Sequence, residues 1–311
     1  MNKGLALVQG IMPLLPYPYR GSHGPCMLCG SADTLPLARH DRRLKRLTSV
    51  VCAGCGLIRT DPMPSEAELG EYYRSIYRLD YQLVGDKPPR RHITRTTAEA
   101  ARRRAMLNLP AGAMVLDYGS GSGEFLAEGT RAGWTMLGVE PGEAYAAHAR
   151  AAHGATVLPS LPADAGPFDA ITSHHVFEHL RDPVAVLASL VARLKPDGVL
   201  YLSVPDLGPS AKPAFERLQF AHVHGFVPAT LDLLAAKCGL MLDARFERQG
   251  TTAVYRRGAV GFQPSAEVAR AVAAGFNQVS PMTHVLTLGF VAPALKRWRR
   301  DIRDTFARSP K

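Results

Sequence analysis

Residues 114–125 read MVLDYGSGSGEF, and this stretch decides the architecture. Met114, Val115 and Leu116 form a short apolar run of the kind that becomes a strand buried on both faces. Asp117 stands where that strand ends, and Gly119, Gly121 and Gly123 then alternate with small or polar residues. Glycines at this spacing let the backbone turn sharply and leave no Cβ in the path of a ligand. Glu124 opens a helix whose free N–H groups face the same crevice. Strand, glycine loop and helix make a nucleotide-type site at the carboxyl end of a sheet, although a glycine turn kept for packing alone has the same look. A second apolar run, Trp134 to Val139, closes with Glu140, about 20 residues beyond the first glycine, where doubly wound folds place a carboxylate on ribose hydroxyls. Dinucleotide dehydrogenases share that pair, so loop and acid alone leave the cofactor open.

The motifs that follow choose between cofactors. Asp117-x-Gly119-x-Gly121-x-Gly123, Glu140, and FDAITSHHVFEHLRDP at Phe168 to Pro183 resemble the class I S-adenosylmethionine-dependent methyltransferases. Glu178-His179-Leu180 recurs in one large branch of that family. So does AHVHGFVPATLDLLAAKCGL at Ala221 to Leu240, where His222-x-His224-x-Phe226 precedes a helix. The resemblance runs from Met114 to Leu240 and implies a doubly wound α/β fold with a mainly parallel, seven-stranded sheet. It further implies that Asp117, Gly119, Ser120, Gly121 and Gly123 border the methionine part of S-adenosylmethionine. Glu140 would then hold the ribose, Leu161 would lie by the adenine and His174 by the sulfonium. The end of the fourth strand lacks the Asn/Asp-Pro-Pro-aromatic pattern of enzymes that methylate exocyclic amines, which speaks against a nucleobase amine as acceptor.

Four of the five cysteines fall in two pairs, Cys26-x2-Cys29 and Cys52-x2-Cys55, with 22 residues between them. Each pair lies in a glycine-containing turn, so that two knuckles present the tetrahedral sulfur set that suits zinc; two disulfides are the alternative. Four protein ligands leave no open position, which makes the expected Zn2+ structural. Leu35, Leu37 and then Ser49 to Val51 alternate enough for short strands, giving a zinc ribbon. The next segment, GLIRTDPMPSEAELGEYYRSIY, is similar to zinc-knuckle methyltransferases of bacterial glycan and natural-product pathways. Ser65 and Glu68 there form a capping box, and Tyr72, Tyr73 and Tyr77 recur at helical spacing.

The 311 residues allow one large domain or two, and 46% apolar with 21% charged content describes an ordinary globular chain. The chain divides into an N-terminal arm (1–20), the zinc-ribbon module (21–64), a helical linker or lid region (65–110), the methyltransferase domain (111–260) and a basic helical C-terminal extension (261–311). No stretch is long and apolar enough to span a bilayer, and the expected location is cytoplasmic. The net charge is +10. Seven basic residues face two acidic ones between Asp86 and Arg104, and the same count holds from Phe290 to the end. Such runs are solvated faces, or a rim for a phosphate-bearing substrate; the C-terminal helix with Trp298 also suits peripheral contact with an anionic surface.

Methyl transfer from a sulfonium needs alignment and, for a hydroxyl or acidic carbon, a base. His222 and His224 rank first for that role, because their loop follows the fifth strand; if it is extended, both rings leave one face. His175 comes next. The reading is transfer to a small molecule, a sugar or glycan precursor, at oxygen or carbon. Its rivals are an RNA methyltransferase guided by zinc and basic surfaces, and a scaffold that keeps the fold without catalysis.

Overall fold

The computed structural model describes residues 16–77 and 88–280. Most of the N-terminal arm, part of the linker and the basic helix expected at Leu295 to Phe306 lie outside the described residues. No helix among the described residues is long and apolar enough to cross a membrane.

The chain first forms β1 (Thr34–His40), β2 (Arg46–Cys52) and β3 (Ile58–Thr60), an antiparallel meander. Helix α1 (Glu66–Ser75) follows, with the expected capping box: the Ser65 hydroxyl accepts from the Glu68 amide, and the Glu68 carboxylate accepts from the Ser65 amide at 2.8 Å. Helix α2 (Arg90–Leu107) ends at Asn108, whose left-handed φ of 40° and the following Pro110 stop it before the first core strand.

The core then alternates strand and helix: β4 (Met114–Tyr118), α3 (Glu124–Arg131), β5 (Thr135–Val139), α4 (Glu143–His153), β6 (Val157–Leu158), β7 (Phe168–His174), α5 (Pro183–Ala192) and β8 (Leu194–Ser203). After the short α6 (Ala214–Arg217) and the two-residue β9 (His224–Gly225) come α7 (Pro228–Lys237), β10 (Leu240–Leu242), β11 (Thr252–Arg257) and α8 (Ala266–Phe276). The large sheet has the order β10-β11-β8-β7-β4-β5-β6. Strands β6, β5, β4, β7 and β8 run parallel, and β11 returns antiparallel between β8 and β10. This is the seven-stranded class I methyltransferase fold.

The smaller sheet does not stand alone. Its order is β1-β2-β3-β9, and β9 comes from the segment just before α7. Leu28, Cys52, Cys55 and Leu57 share one buried cluster with Phe226, Leu231, Leu234 and the Leu200–Leu202 core of β8. Lys237 of α7 donates to the Leu28 carbonyl at 2.7 Å. The segment before α7 therefore supplies a strand to the cysteine module's sheet, and that module shares a core with the large sheet.

Candidate functional site

The order reversal of the sheet lies between β4 and β7, and ligands bind such sheets outside the carboxyl ends of the strands at that point. The glycine loop is pinned there: the amides of Gly119 and Ser120 both donate to the Val139 carbonyl, at 2.8 and 2.9 Å. Gly119, Gly121 and Gly123 all have positive φ (84°, 53° and 88°), yet each glycine has its own reason. A Cβ at Gly119 would stand 2.2 Å from Val176 Cγ2, and one at Gly123 would stand 2.6 Å from Ala149 Cβ. A Cβ at Gly121 would meet nothing within 4 Å, so this residue faces the open crevice. Beside it, Glu140 is gripped by two amides: Gly121 N–H donates to Oε2 at 3.0 Å and Gly142 N–H to Oε1 at 2.7 Å. A carboxylate held in this orientation suits the acceptor role toward a ribose hydroxyl. Open glycine, a buried Ser120 hydroxyl without a partner among the described residues, and positioned carboxylate together fit the nucleoside cofactor that the motifs imply.

Asp117 has a different environment from its neighbours. It is buried, accepting from Arg103 Nη1 at 2.8 Å and from the Thr172 hydroxyl at 2.6 Å. The Arg103 guanidinium lies 4.1 Å from the Phe125 ring centroid. Arg103 thus departs from the solvated face expected of its basic run. Its position explains why: the helical period puts it on the stripe of Ala100 and Leu107, both buried. That stripe was the sequence signal for Asp117's partner.

At the end of β7 a second cluster forms around Glu178. Its Oε1 lies 3.3 Å from His175 Nδ1, 3.7 Å from His179 Nε2 and 3.9 Å from His222 Nε2. Burial works to raise the Glu178 carboxyl, but His179, His175 and His222 outweigh it and hold it down to about 2. His179 Nδ1 also lies 2.7 Å from the Tyr73 hydroxyl and 2.8 Å from the Ala221 carbonyl oxygen. Tyr73 and Tyr77 of the α1 segment stand edge-on to the His179 ring, so aromatic residues outside the core sheet wall this side. Glu178, His179 and His222 each offer an atom within 4.8 Å of the others, a donor set that a cation could also use.

The two favoured histidines separate. The chain bends at residues 221–223, with the His222 amide donating to the Gln219 carbonyl at 3.1 Å, so the extended stretch that would put both rings on one face does not form. His222 joins Glu178, and burial pushes it down to about 3 despite the carboxylate. His224 sits on β9, is 1% exposed, and lies 3.3 Å from the Arg181 carbonyl oxygen. Burial holds it down to about 4. His175 is the opposite case: its side chain is 48% exposed, and its φ of 56° is a left-handed conformation rare for a non-glycine residue. His174 is mostly enclosed, with burial and then Arg103 pushing it well below its ordinary value. Leu161 packs part-buried against the main core after β6.

The four knuckle thiols converge. Sγ–Sγ distances are 3.6 Å for Cys26–Cys55 and 3.4 Å for Cys29–Cys52, and all four atoms lie within 4.8 Å of one another. A tetrahedral zinc with bonds near 2.3 Å sets sulfurs roughly 3.8 Å apart, so the residues fit that ion. Cys26 is pushed up to about 11 by its hydrogen bond with Cys52, while Cys52 is held well below the ordinary thiol range by the bonds it accepts from Cys26 and Cys55.

A surface hollow near Pro110, Gly112, Asp169 and Lys195 lies at the amino end of β4 and holds none of these residues.

Comparison with known proteins adds a family. Residues 90–244 match a family model described as "Methyltransferase domain". A ubiquinone biosynthesis O-methyltransferase of Xanthomonas axonopodis pv. citri (strain 306) is 34% identical over 112 residues, covering 33% of this chain and 47% of that protein. An uncharacterized methyltransferase of Mycobacterium sp. (strain JLS) is 38% identical over 99 residues, covering 30% of this chain and 39% of the other. The chain thus spans about half the length of the curated relatives it matches. Among solved structures, the Burkholderia thailandensis 1,6-didemethyltoxoflavin-N1-methyltransferase is 18% identical, covering 66% of this chain and 96% of that one, with a TM-score of 0.47.

Proposed function

We propose that this chain, which belongs to the class I S-adenosylmethionine-dependent methyltransferases through its domain at residues 90–244, transfers a methyl group to a hydroxyl of a small-molecule acceptor. The observation that carries this reading is a pairing of neighbours: the open glycine loop at the end of β4, and a histidine–glutamate couple just past the end of adjacent β7. When bound, the sulfonium cofactor supplies an electrophilic methyl group and leaves as a neutral thioether. Glu140 and the Gly121 edge hold the nucleoside. His175 takes the acceptor proton, its Nδ1 facing Glu178 Oε1 and its exposed ring reaching the crevice. Buried Glu178 orients that ring and stabilises the imidazolium as it forms. His179 and Tyr73 shape the acceptor side. The O-methyltransferase relatives support oxygen as the acceptor atom. Within small hydroxyl compounds, we place a sugar or glycan precursor first, and a zinc ion in the Cys26, Cys29, Cys52 and Cys55 set completes the assignment.

Methyl transfer from labelled S-adenosylmethionine to a panel of sugar nucleotides and hydroxylated aromatics tests this reading. On whichever acceptor is turned over, His175→Ala is expected to lower kcat by roughly 10²–10⁴-fold with little change in S-adenosylhomocysteine affinity. His224→Ala, in contrast, should alter stability first. Labelling of RNA alone, with affinity falling steeply as salt rises, would point to the RNA reading instead.

The nucleoside contact has its own test. Glu140→Ala removes two bonds that fix the loop, from Gly121 and Gly142, together with the acceptor for ribose hydroxyls. Hydrogen bonds to a charged group are worth about 1.5–3 kcal/mol, so S-adenosylhomocysteine should bind roughly 10- to 100-fold more weakly in a calorimetric titration. Unchanged affinity would mean that Glu140 only shapes the turn.

A further inference from the structure

We propose that Glu124, His148 and His153 form a second metal site, for a divalent first-row transition ion, between helices α3 and α4 behind the glycine loop. Glu124 is the first residue of α3 and only 6% exposed. The Ser122 hydroxyl donates to its Oε2 at 2.7 Å, while Oε1 is buried with no hydrogen-bond partner. A buried carboxylate oxygen left without a hydrogen-bond donor is a donor atom available to a cation.

His148 and His153 belong to α4, His148 part-exposed and His153 exposed, which gives an ion a way in. One donor atom from each of the three residues lies within 4.8 Å of the others, yet neither histidine is hydrogen-bonded or ion-paired to Glu124 among the described residues. A tetrahedral ion with bonds near 2.0–2.1 Å holds its ligands roughly 3.3 Å apart, so the set needs to close by at most about 1.5 Å. His153 is the last residue of α4, where a ring moves at little cost to the helix. Gly123 makes the approach feasible: a Cβ there would stand 2.6 Å from Ala149 Cβ and 3.2 Å from His153 Cδ2.

Two imidazoles and one carboxylate suit zinc, cobalt, nickel or copper and not the all-oxygen preference of magnesium or calcium. Three protein donors leave a position for water. His92 of α2 stands nearby, stacked edge-on to Tyr145 at 5.4 Å; burial and then Arg95 hold it below its ordinary value, against the pull of Glu124. A bound ion ties the helix that carries the glycine loop to its neighbour. The site depends on neither the cysteine cluster nor the proposed reaction.

The test is metal content. The full chain, dialysed against micromolar zinc and then metal-free buffer, should carry one zinc ion at this site in addition to that held by the cysteine set. Glu124→Gln and His148→Ala should each lower the count by about one while Cys52 and its partners keep theirs. Cobalt in this site should give weak visible bands without thiolate charge transfer, and both variants should lose them. His148 is part-exposed, so His148→Ala decides the matter even if Glu124→Gln fails to fold. A zinc count equal in wild type and His148→Ala, or cobalt bands wholly of thiolate character, overturns the site.

Discussion

Cys52→Ser is expected to cost the chain far more than one small module. Cys26, Cys52 and Cys55 are each 2% exposed or less and belong to the cluster that includes Phe226, Leu231 and Leu200. Strand β9 closes the small sheet on β3, and Lys237 holds the Leu28 carbonyl. A structural zinc contributes apparent binding energies of about 10–16 kcal/mol in small zinc modules, comparable with the whole stability of a typical domain, about 5–15 kcal/mol. Losing one of four ligands leaves thiols buried without their ion and exposes the shared core from the N-terminal side. Zinc content should fall by about one ion per chain, and the melting temperature should drop by on the order of 10 °C or more. Because the core is shared, S-adenosylhomocysteine binding should fall together with the N-terminal signal in one transition. Two separate melting transitions, with cofactor binding intact after the first, would show that the module stands apart.

The large sheet was legible because its strands are apolar runs and its helices begin at readable signals. Met114 to Leu116, Trp134 to Val139 and Phe168 to Ser173 each end at a polar or glycine residue, and each becomes a parallel strand. Between Leu240 and Thr252 no helix forms, and β11 returns antiparallel beside β8. Strand β8 begins at Leu194, opposite Phe168; residues 195–198 then bulge, with Lys195 reaching Asp169 at 2.8 Å, and the ladder resumes at Val199 opposite Ala170. Local pattern could not reveal that pairing.

The site was legible wherever backbone chemistry dictates the residue. Gly121 and Glu140, both singled out by the sequence, are joined by a hydrogen bond at the end of β4. The base was harder to read. Which of five histidines reaches solvent depends on a bend at residues 221–223 and on a two-residue strand, and neither has a periodic signature. Glu178 is the hub that joins His175, His179 and His222, contacts that span up to 44 positions and arise only when the loop after β8 returns over β7. Arg103 repeats the lesson in a helix: a basic run reads as surface until the apolar stripe beneath it is traced.

By the proposed function, the crevice beside Gly121 and Glu140 takes S-adenosylmethionine. Calorimetric titration of the full chain with S-adenosylhomocysteine tests it most directly, with Gly121→Val as the matched control. Gly121 has a φ of 53°, which a β-branched residue adopts only under strain, and its Cβ direction points into the open crevice. Valine there both distorts the loop that donates to Glu140 and fills the space that the methionine part would occupy. Binding should weaken by at least about 100-fold, equivalent to ~2.7 kcal/mol, while the melting temperature without ligand changes far less. Wild-type protein should give a one-site isotherm with S-adenosylhomocysteine and none with NADH. Heat of binding with NADH, and none with S-adenosylhomocysteine, would contradict the account.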